Sequence, residues 1–291
     1  STSRGLGDVY KRQITDSASD ITASGRRDLI VLPITITFHG TEYQDGVNLS
    51  HREFYEKLIE SDDLPTTSQI TPYTYEETIR QVIQEGDIPV IITLSGKFSG
   101  TYQNACAAAS EFEEEVYVVD SENVAVGQRA LVEYALRLKD ENQSAKFIAE
   151  ELERNKKRVH TIALLDTLEY LKKGGRISRT VAFAGNVLSI KPVVGVVDGE
   201  VALLGKARGS KQGNNLLIEQ INKFGGIDYD MPYALGYTGL SDTLIQKYIE
   251  DSKPLWQPHT DSLPVYTVGG TIGTHVGPGA VAVAFFSQNT I

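Results

Sequence analysis

Three short blocks of this 291-residue chain place hydroxyls or an imidazole where the backbone pattern changes. Thr93-Leu94-Ser95-Gly96-Lys97-Phe98-Ser99-Gly100-Thr101 is the first. Thr66-Thr67-Ser68-Gln69 is the second, and His275, in His-Val-Gly-Pro-Gly, belongs to the third. A hydroxyl donates to an anion without adding charge. A Gly/Ser turn that ends a strand and opens a helix also leaves backbone N–H groups and the positive end of the helix dipole facing one point. Ser99 alone is equally well read as a helix cap, the commoner job for serine. The three blocks together favour a site for an anion.

The elements needed to position these groups are legible. Residues 88–92 form an apolar, β-branched run, read as a buried strand. Residues 103–112 are rich in alanine and read as a helix. Residues 29–38 read as one strand and 40–46 as a turn. Ser50-His51-Arg52-Glu53 is a capping box that opens a helix. Residues 66–69 read as a loop, Pro72 as a helix start, and 116–119 as a strand, with helices over 126–138 and 144–157. This alternation predicts a parallel, Rossmann-like α/β sheet, whose ligands bind at the carboxyl ends of the strands.

After residue 157 the pattern changes. Asp198-Gly199 between two apolar runs predicts a β-hairpin. Residues 210–224 and 242–250 read as helices, 265–268 and 280–286 as strands, and 269–279 as a glycine-rich loop. The expected organisation is an N-terminal α/β domain over 14–157 and a mixed α+β domain over 158–291. Residues 1–13 carry no core pattern and read as a non-native leader resembling a translated sequencing adapter. Residues 14–20 then look like the end of a first strand, with Lys11-Arg12-Gln13 where an apolar segment belongs.

Composition narrows the function. A formal net charge of −10 argues against a nucleic-acid binder held by phosphate contacts. Cys106, the one cysteine, sits in an alanine run and reads as a structural thiol. No run suits a membrane span and no signal peptide opens the chain, so a cytoplasmic protein without stable membrane insertion is expected. The Walker A, Gly-x-Ser-x-Gly, His-Glu-x-x-His and dinucleotide-fingerprint patterns are all missing, and no metal or cofactor is expected.

An ordered set of blocks resembles one family. Asp16-Ser17-Ala18-Ser19-Asp20, Thr67-Ser68-Gln69, Phe98-Ser99-Gly100-Thr101-Tyr102-Gln103, Leu168-Glu169-Tyr170-Leu171-Lys172-Lys173-Gly174-Gly175-Arg176-Ile177, Ile190-Lys191-Pro192 and His275-Val276-Gly277-Pro278-Gly279 occur in that sequence. Together they are similar to the DegV family, which includes the FakB fatty-acid-binding subunits of bacterial fatty-acid kinase. The resemblance implies two α/β domains holding one long-chain fatty acid. It further implies a carboxylate bound by Thr67, Ser99 and His275, with Ser95 a fourth candidate. It implies carriage rather than catalysis: a partner kinase would phosphorylate the bound acid for phospholipid synthesis. Arg176 and Arg208 are candidates for contact with that partner or the nascent phosphate, although each taken alone is better read as part of a solvated basic face. Val181, Phe183, Val187, Leu188 and Ile190 are candidates to line the acyl tail, or an ordinary core helix.

The chemistry agrees with that implication. Charge-assisted hydrogen bonds are worth about 1.5–3 kcal/mol each, and each buried CH₂ adds about 0.8 kcal/mol. The chain departs from the family in its first strand and in Lys97, which stands where a glycine is usual. Two other readings use the same residues: a lipid hydrolase with Ser99 as nucleophile and His275 as base, and a small-anion-binding regulatory protein.

Overall fold

In the computed structural model, residues 11–288 are described, except 24, 179 and 182–188. The first half holds β1 (Lys11–Asp16), β2 (Leu29–Leu32), β3 (Thr35–Phe38), β4 (Thr41–Gln44), α1 (His51–Glu60), β5 (Thr66–Ser68) and α2 (Pro72–Gln84). It continues through β6 (Ile88–Thr93), α3 (Thr101–Ala109), β7 (Tyr117–Asp120), α4 (Ala125–Asp140) and α5 (Ala145–Asn155). The second half holds β8 (Val159–Leu164), α6 (Glu169–Lys173), β9 (Ile190–Val197), β10 (Glu200–Arg208), α7 (Gly209–Lys223) and β11 (Ala234–Tyr237). It ends with α8 (Thr243–Asp251), α9 (Lys253–Trp256), β12 (Val265–Thr267), α10 (Gly270–Val276) and β13 (Val281–Phe286).

The apolar, β-branched strands of the first half pair as a parallel sheet in the order β2-β1-β6-β7. Those of the second half form a mixed sheet, β10-β9-β8-β13-β11-β12. The fold class read from the sequence is therefore the one found. Helix α4 lies between the two sheets and is buried almost all round. Its Leu131 and Val132 join the core of the parallel sheet, and its Val126 packs with Ala234, Ala282 and Ala284 of the mixed one. A helix with apolar residues on two faces suits such a double partner, and its polar stripe carries the Arg129–Glu133 pair. No helix among the described residues is long and apolar enough to cross a membrane.

Four local expectations need correction. First, the segment 29–38 is two strands in different sheets: β2 joins the parallel sheet, and β3 joins a separate antiparallel sheet ordered β4-β3-β5. Second, the expected turn at 40–46 contains β4, and the expected loop at 66–69 contains β5, whose Thr67 pairs with Ile36 of β3. Third, the glycine-rich stretch after residue 268 contains the helix α10. Glycine disfavours helix interiors, but tertiary packing overrides that here. A Cβ on Gly270 would lie 2.5 Å from Ile36 Cδ1, and one on Gly273 would lie 2.6 Å from Phe54 Cε1. The Asp45 carboxylate accepts from the N–H groups of Gly270 and Thr271, both at 3.1 Å, and from the Thr271 hydroxyl at 2.5 Å. Asp20 accepts from Gly269 N at 2.7 Å. Buried carboxylates thus satisfy the N–H groups that open this helix.

Fourth, β1 begins at Lys11, inside the segment expected to be a leader. Arg12 escapes the cost of burial by pairing with Glu85 at 2.5 Å and Asp87 at 2.6 Å. Gln13 does not escape it. Its side chain is fully buried, and neither amide atom has a hydrogen-bond partner among the described residues. Of the candidate tail-lining residues, Phe183, Val187 and Leu188 lie outside the described residues.

Candidate functional site

Three of the residues singled out by sequence come together at one cavity. Strand β6 delivers Leu94 and the turn to Ser99; β5 delivers Thr67; α10 delivers His275. The cavity is about 600 Å³, and Thr67, Ser99, His275 and Arg176 all line it. Thr67 Oγ1 and His275 Nε2 are 2.9 Å apart and share a hydrogen bond. The imidazole is wedged against α6: a Cβ on Gly174 would stand 2.4 Å from His275 Nδ1, so only glycine fits there. Nδ1 itself has no hydrogen-bond partner among the described residues.

Burial, and then the nearby Arg176 cation, push the His275 pKa down to about 4. The imidazole is therefore neutral near pH 7 and can donate only one N–H. The fixed positive charge comes instead from Arg176. Its Nη1 donates to the Gly174 carbonyl at 2.5 Å and its Nε donates to the Phe98 carbonyl at 3.3 Å. Burial lowers its pKa from the ordinary value, yet a guanidinium keeps its proton.

The turn differs from the expected cradle of free N–H groups. Leu94 N donates to Asp16 Oδ2 at 2.9 Å, and Gly96 N is shared between the two Asp120 oxygens at 3.1 and 3.2 Å. Ser95 N donates to Asn123 O and Phe98 N to Ser95 O. Ser99 Oγ is 2.9 Å from Thr101 Oγ1 and accepts from Thr101 N at 3.2 Å. The turn is thus held rigid by carboxylates from neighbouring strand ends. Burial pushes Asp16 up to about 6 and raises Asp120 as well. Asp16, Asp45 and Asp120 are supports of the site that the sequence does not announce. Nothing in their local spacing announces partners that lie in other elements.

Two candidates stand apart. The fully buried Ser95, the fourth candidate, does not line the cavity; its hydroxyl donates to the Gly199 carbonyl at 2.7 Å. Arg208, exposed at the end of β10, is also absent from the lining. At its inner end the cavity meets a second, smaller space of about 70 Å³. Val124, Leu171, Val201, Ile272 and Val276 line both. The inner space is floored by small residues of the mixed sheet, Ala163, Gly195, Gly236 and Ala282. At the other end, Thr67, Arg176 and His275 also border an outer groove of about 590 Å³ that includes Asp62, Asp63 and Lys173. The arrangement is a polar mouth, lined by the cations Arg176 and Lys97, leading into an apolar interior. Among the described residues no three His, Cys, Asp or Glu side chains are grouped to hold an ion.

Comparison with known proteins places this architecture. The family model described as an uncharacterised protein of the DegV family matches residues 13–288. A DegV domain-containing protein of Caldanaerobacter subterraneus subsp. tengcongensis is 34% identical over 281 residues, covering 94% of this chain and 97% of the relative. One from Clostridium acetobutylicum is 32% identical, covering 94% and 98%. Among solved structures, one described as the fatty acid binding of a DegV family protein from Thermus thermophilus superposes with a TM-score of 0.85 at 30% identity. That match covers 96% of this chain and all of the other. A fatty acid binding DegV family protein from Streptococcus agalactiae gives 0.84 at 26% identity, covering 97% and 100%. The family model spans nearly the whole described chain, the relatives match along almost their full lengths, and this chain belongs to the DegV family.

Proposed function

We propose that this protein binds one long-chain fatty acid, with the carboxylate at the Thr67–His275–Ser99 mouth and the acyl chain in the apolar interior. The observation that carries this reading is the gradient across two adjoining cavities that share five lining residues, from hydroxyls, a neutral imidazole and Arg176 to a floor of alanine and glycine. A half-buried carboxylate must recover lost hydration through hydrogen bonds and a counter-charge. Thr67 and Ser99 offer hydroxyls, His275 offers one N–H, and Arg176 offers the cation. The interior offers the chain a site where each buried CH₂ contributes about 0.8 kcal/mol. Relatives described as fatty-acid-binding proteins support the reading.

The protein acts, in this proposal, as a cytoplasmic carrier that presents the carboxylate to a partner fatty-acid kinase for acyl-phosphate formation. The outer groove beside Arg176 and Lys173 leaves the mouth approachable by such a partner. A hydrolase reading is less well supported. Ser99 Oγ bonds to Thr101 rather than to His275, and among the described residues no carboxylate orients Nδ1.

Native mass spectrometry of protein purified from a bacterial host, with the released small molecules identified, tests the binding step. A stoichiometric C16–C18 acid is the expected result. A protein that stays empty after incubation with a panel of fatty acids overturns it. Transfer of the ATP γ-phosphate to the bound acid, on adding a fatty-acid kinase, tests the carrier step.

A further inference from the structure

The β9–β10 hairpin forms one wall of the cavity through Val201, and of its inner end through Val194 and Val196. Its register with β8 covers only Val193 to Gly195. Residues 196–201 therefore overhang the sheet, and β10 is the edge strand. A bulge interrupts β10 between Leu203 and Gly205, a place where a strand bends. On the anchored side of that bulge, Gly205 packs against Leu216 of α7.

The overhanging tip is nonetheless tied down, and its ties reach the opposite wall of the cavity. The Ser95 hydroxyl, fully buried, donates to the Gly199 carbonyl at 2.7 Å. Lys97 Nζ lies 3.5 Å from Glu200 Oε2. Lys157 Nζ lies 3.3 Å from Asp198 Oδ1. Ser95 and Lys97 belong to the turn after β6, whose Leu94, Gly96 and Lys97 line the cavity. We propose that residues 196–201 are a flap latched by Ser95 and Lys97, and that releasing this latch sets the rate at which the cavity exchanges its contents. This gives a use to Lys97, the cation that departs from the family pattern, and makes Ser95 a positioning residue. The inference rests on the proposed acyl ligand only for the identity of what is exchanged.

Two readouts test it: hydrogen exchange at the tip amides, and displacement of cis-parinaric acid by unlabelled oleate. In Ser95→Ala, tip exchange is expected to quicken and the dissociation rate to rise about fivefold, the effect of one hydrogen bond. Association should quicken in step, so that Kd moves by less than about twofold; a merely structural role would not raise both rates together. Glu200→Gln, which removes an exposed pair, should give about a twofold rise. Because Ser95 Oγ lies 2.7 Å from where a Gly199 Cβ would stand, Ser95→Cys with Gly199→Cys brings two sulfurs within disulfide reach, at the cost of backbone strain for a cysteine at φ +80°. In a Cys106→Ser background, the oxidised pair should slow dissociation at least about tenfold, and reductant should restore it. Unchanged dissociation in both Ser95→Ala and the oxidised pair overturns the proposal. If no fatty acid binds, the proposed ligand falls instead, and the latch is judged by hydrogen exchange alone: unchanged tip protection in Ser95→Ala and Glu200→Gln overturns it.

Discussion

The two walls of the cavity are built on opposite principles. The wall from the first half of the chain, built on the parallel sheet and the small antiparallel sheet, is polar and fixed. Asp16 and Asp120 hold its turn, and Thr67 sits on a short strand paired to β3. The wall from the mixed sheet is apolar and thinned: Ala163 faces Ala282, and Ala282 faces Gly236, across neighbouring strands. Side chains are small there on three adjacent strands, which leaves room above the sheet. The comparison teaches a division of labour. One wall recognises a head group by direction, through hydrogen bonds. The other accommodates a tail by volume, which carries no direction.

That division makes distinct predictions for the two walls. Ala163→Phe fills the inner space and should displace three or four methylenes. At about 0.8 kcal/mol each, this weakens C18 binding about 100-fold or more. The loss should shrink as the acid is shortened, to little for C10. A titration series over chain length measures it, and a loss independent of length would refute a tail at the inner end. At the other wall, Thr67→Val and Ser99→Ala should each weaken binding about tenfold. Here the loss should be equal for every chain length, because only the head group is touched. If these losses tracked chain length, the assignment of head and tail would be reversed.

A smaller effect concerns stability and the parallel sheet alone. Gln13→Val removes two buried polar atoms that have no partner among the described residues. It should stabilise the fold by about 1–2 kcal/mol, raising Tm by a few degrees with ligand affinity unchanged. A thermal melt decides it; a lower Tm would mean the amide is satisfied in solution.

Much of this was readable because local and global preferences agree. The capping box at Ser50 and Glu53 forms as written. The Asp198-Gly199 turn has both residues at positive φ, 49° and 80°, as a two-residue hairpin requires. The strand, turn and helix around residues 88–109 fall where β-branched and alanine-rich runs place them. What escaped were features whose cause lies far along the chain. α10 is a helix because Asp20, Asp45, Ile36 and Phe54 receive it, and its own glycines argue against one. Thr66–Ser68 is a strand because β3 offers it an open edge. Ser95 reads as an anion ligand by its neighbours, but a carbonyl 104 residues later accepts its proton. Hydroxyl type and spacing nominate a donor; only the fold names its acceptor.

The clasp at the start of α10 also bears on how the chain is made. Asp20 meets Gly269 across 249 positions, and Asp45 meets Gly270 across 225. A ribosome adding about 5–20 residues each second leaves these two carboxylates waiting roughly ten to fifty seconds for their donors. Until then neither donor exists, and the burial of both carboxylates against α10 is deferred to the last moments of synthesis.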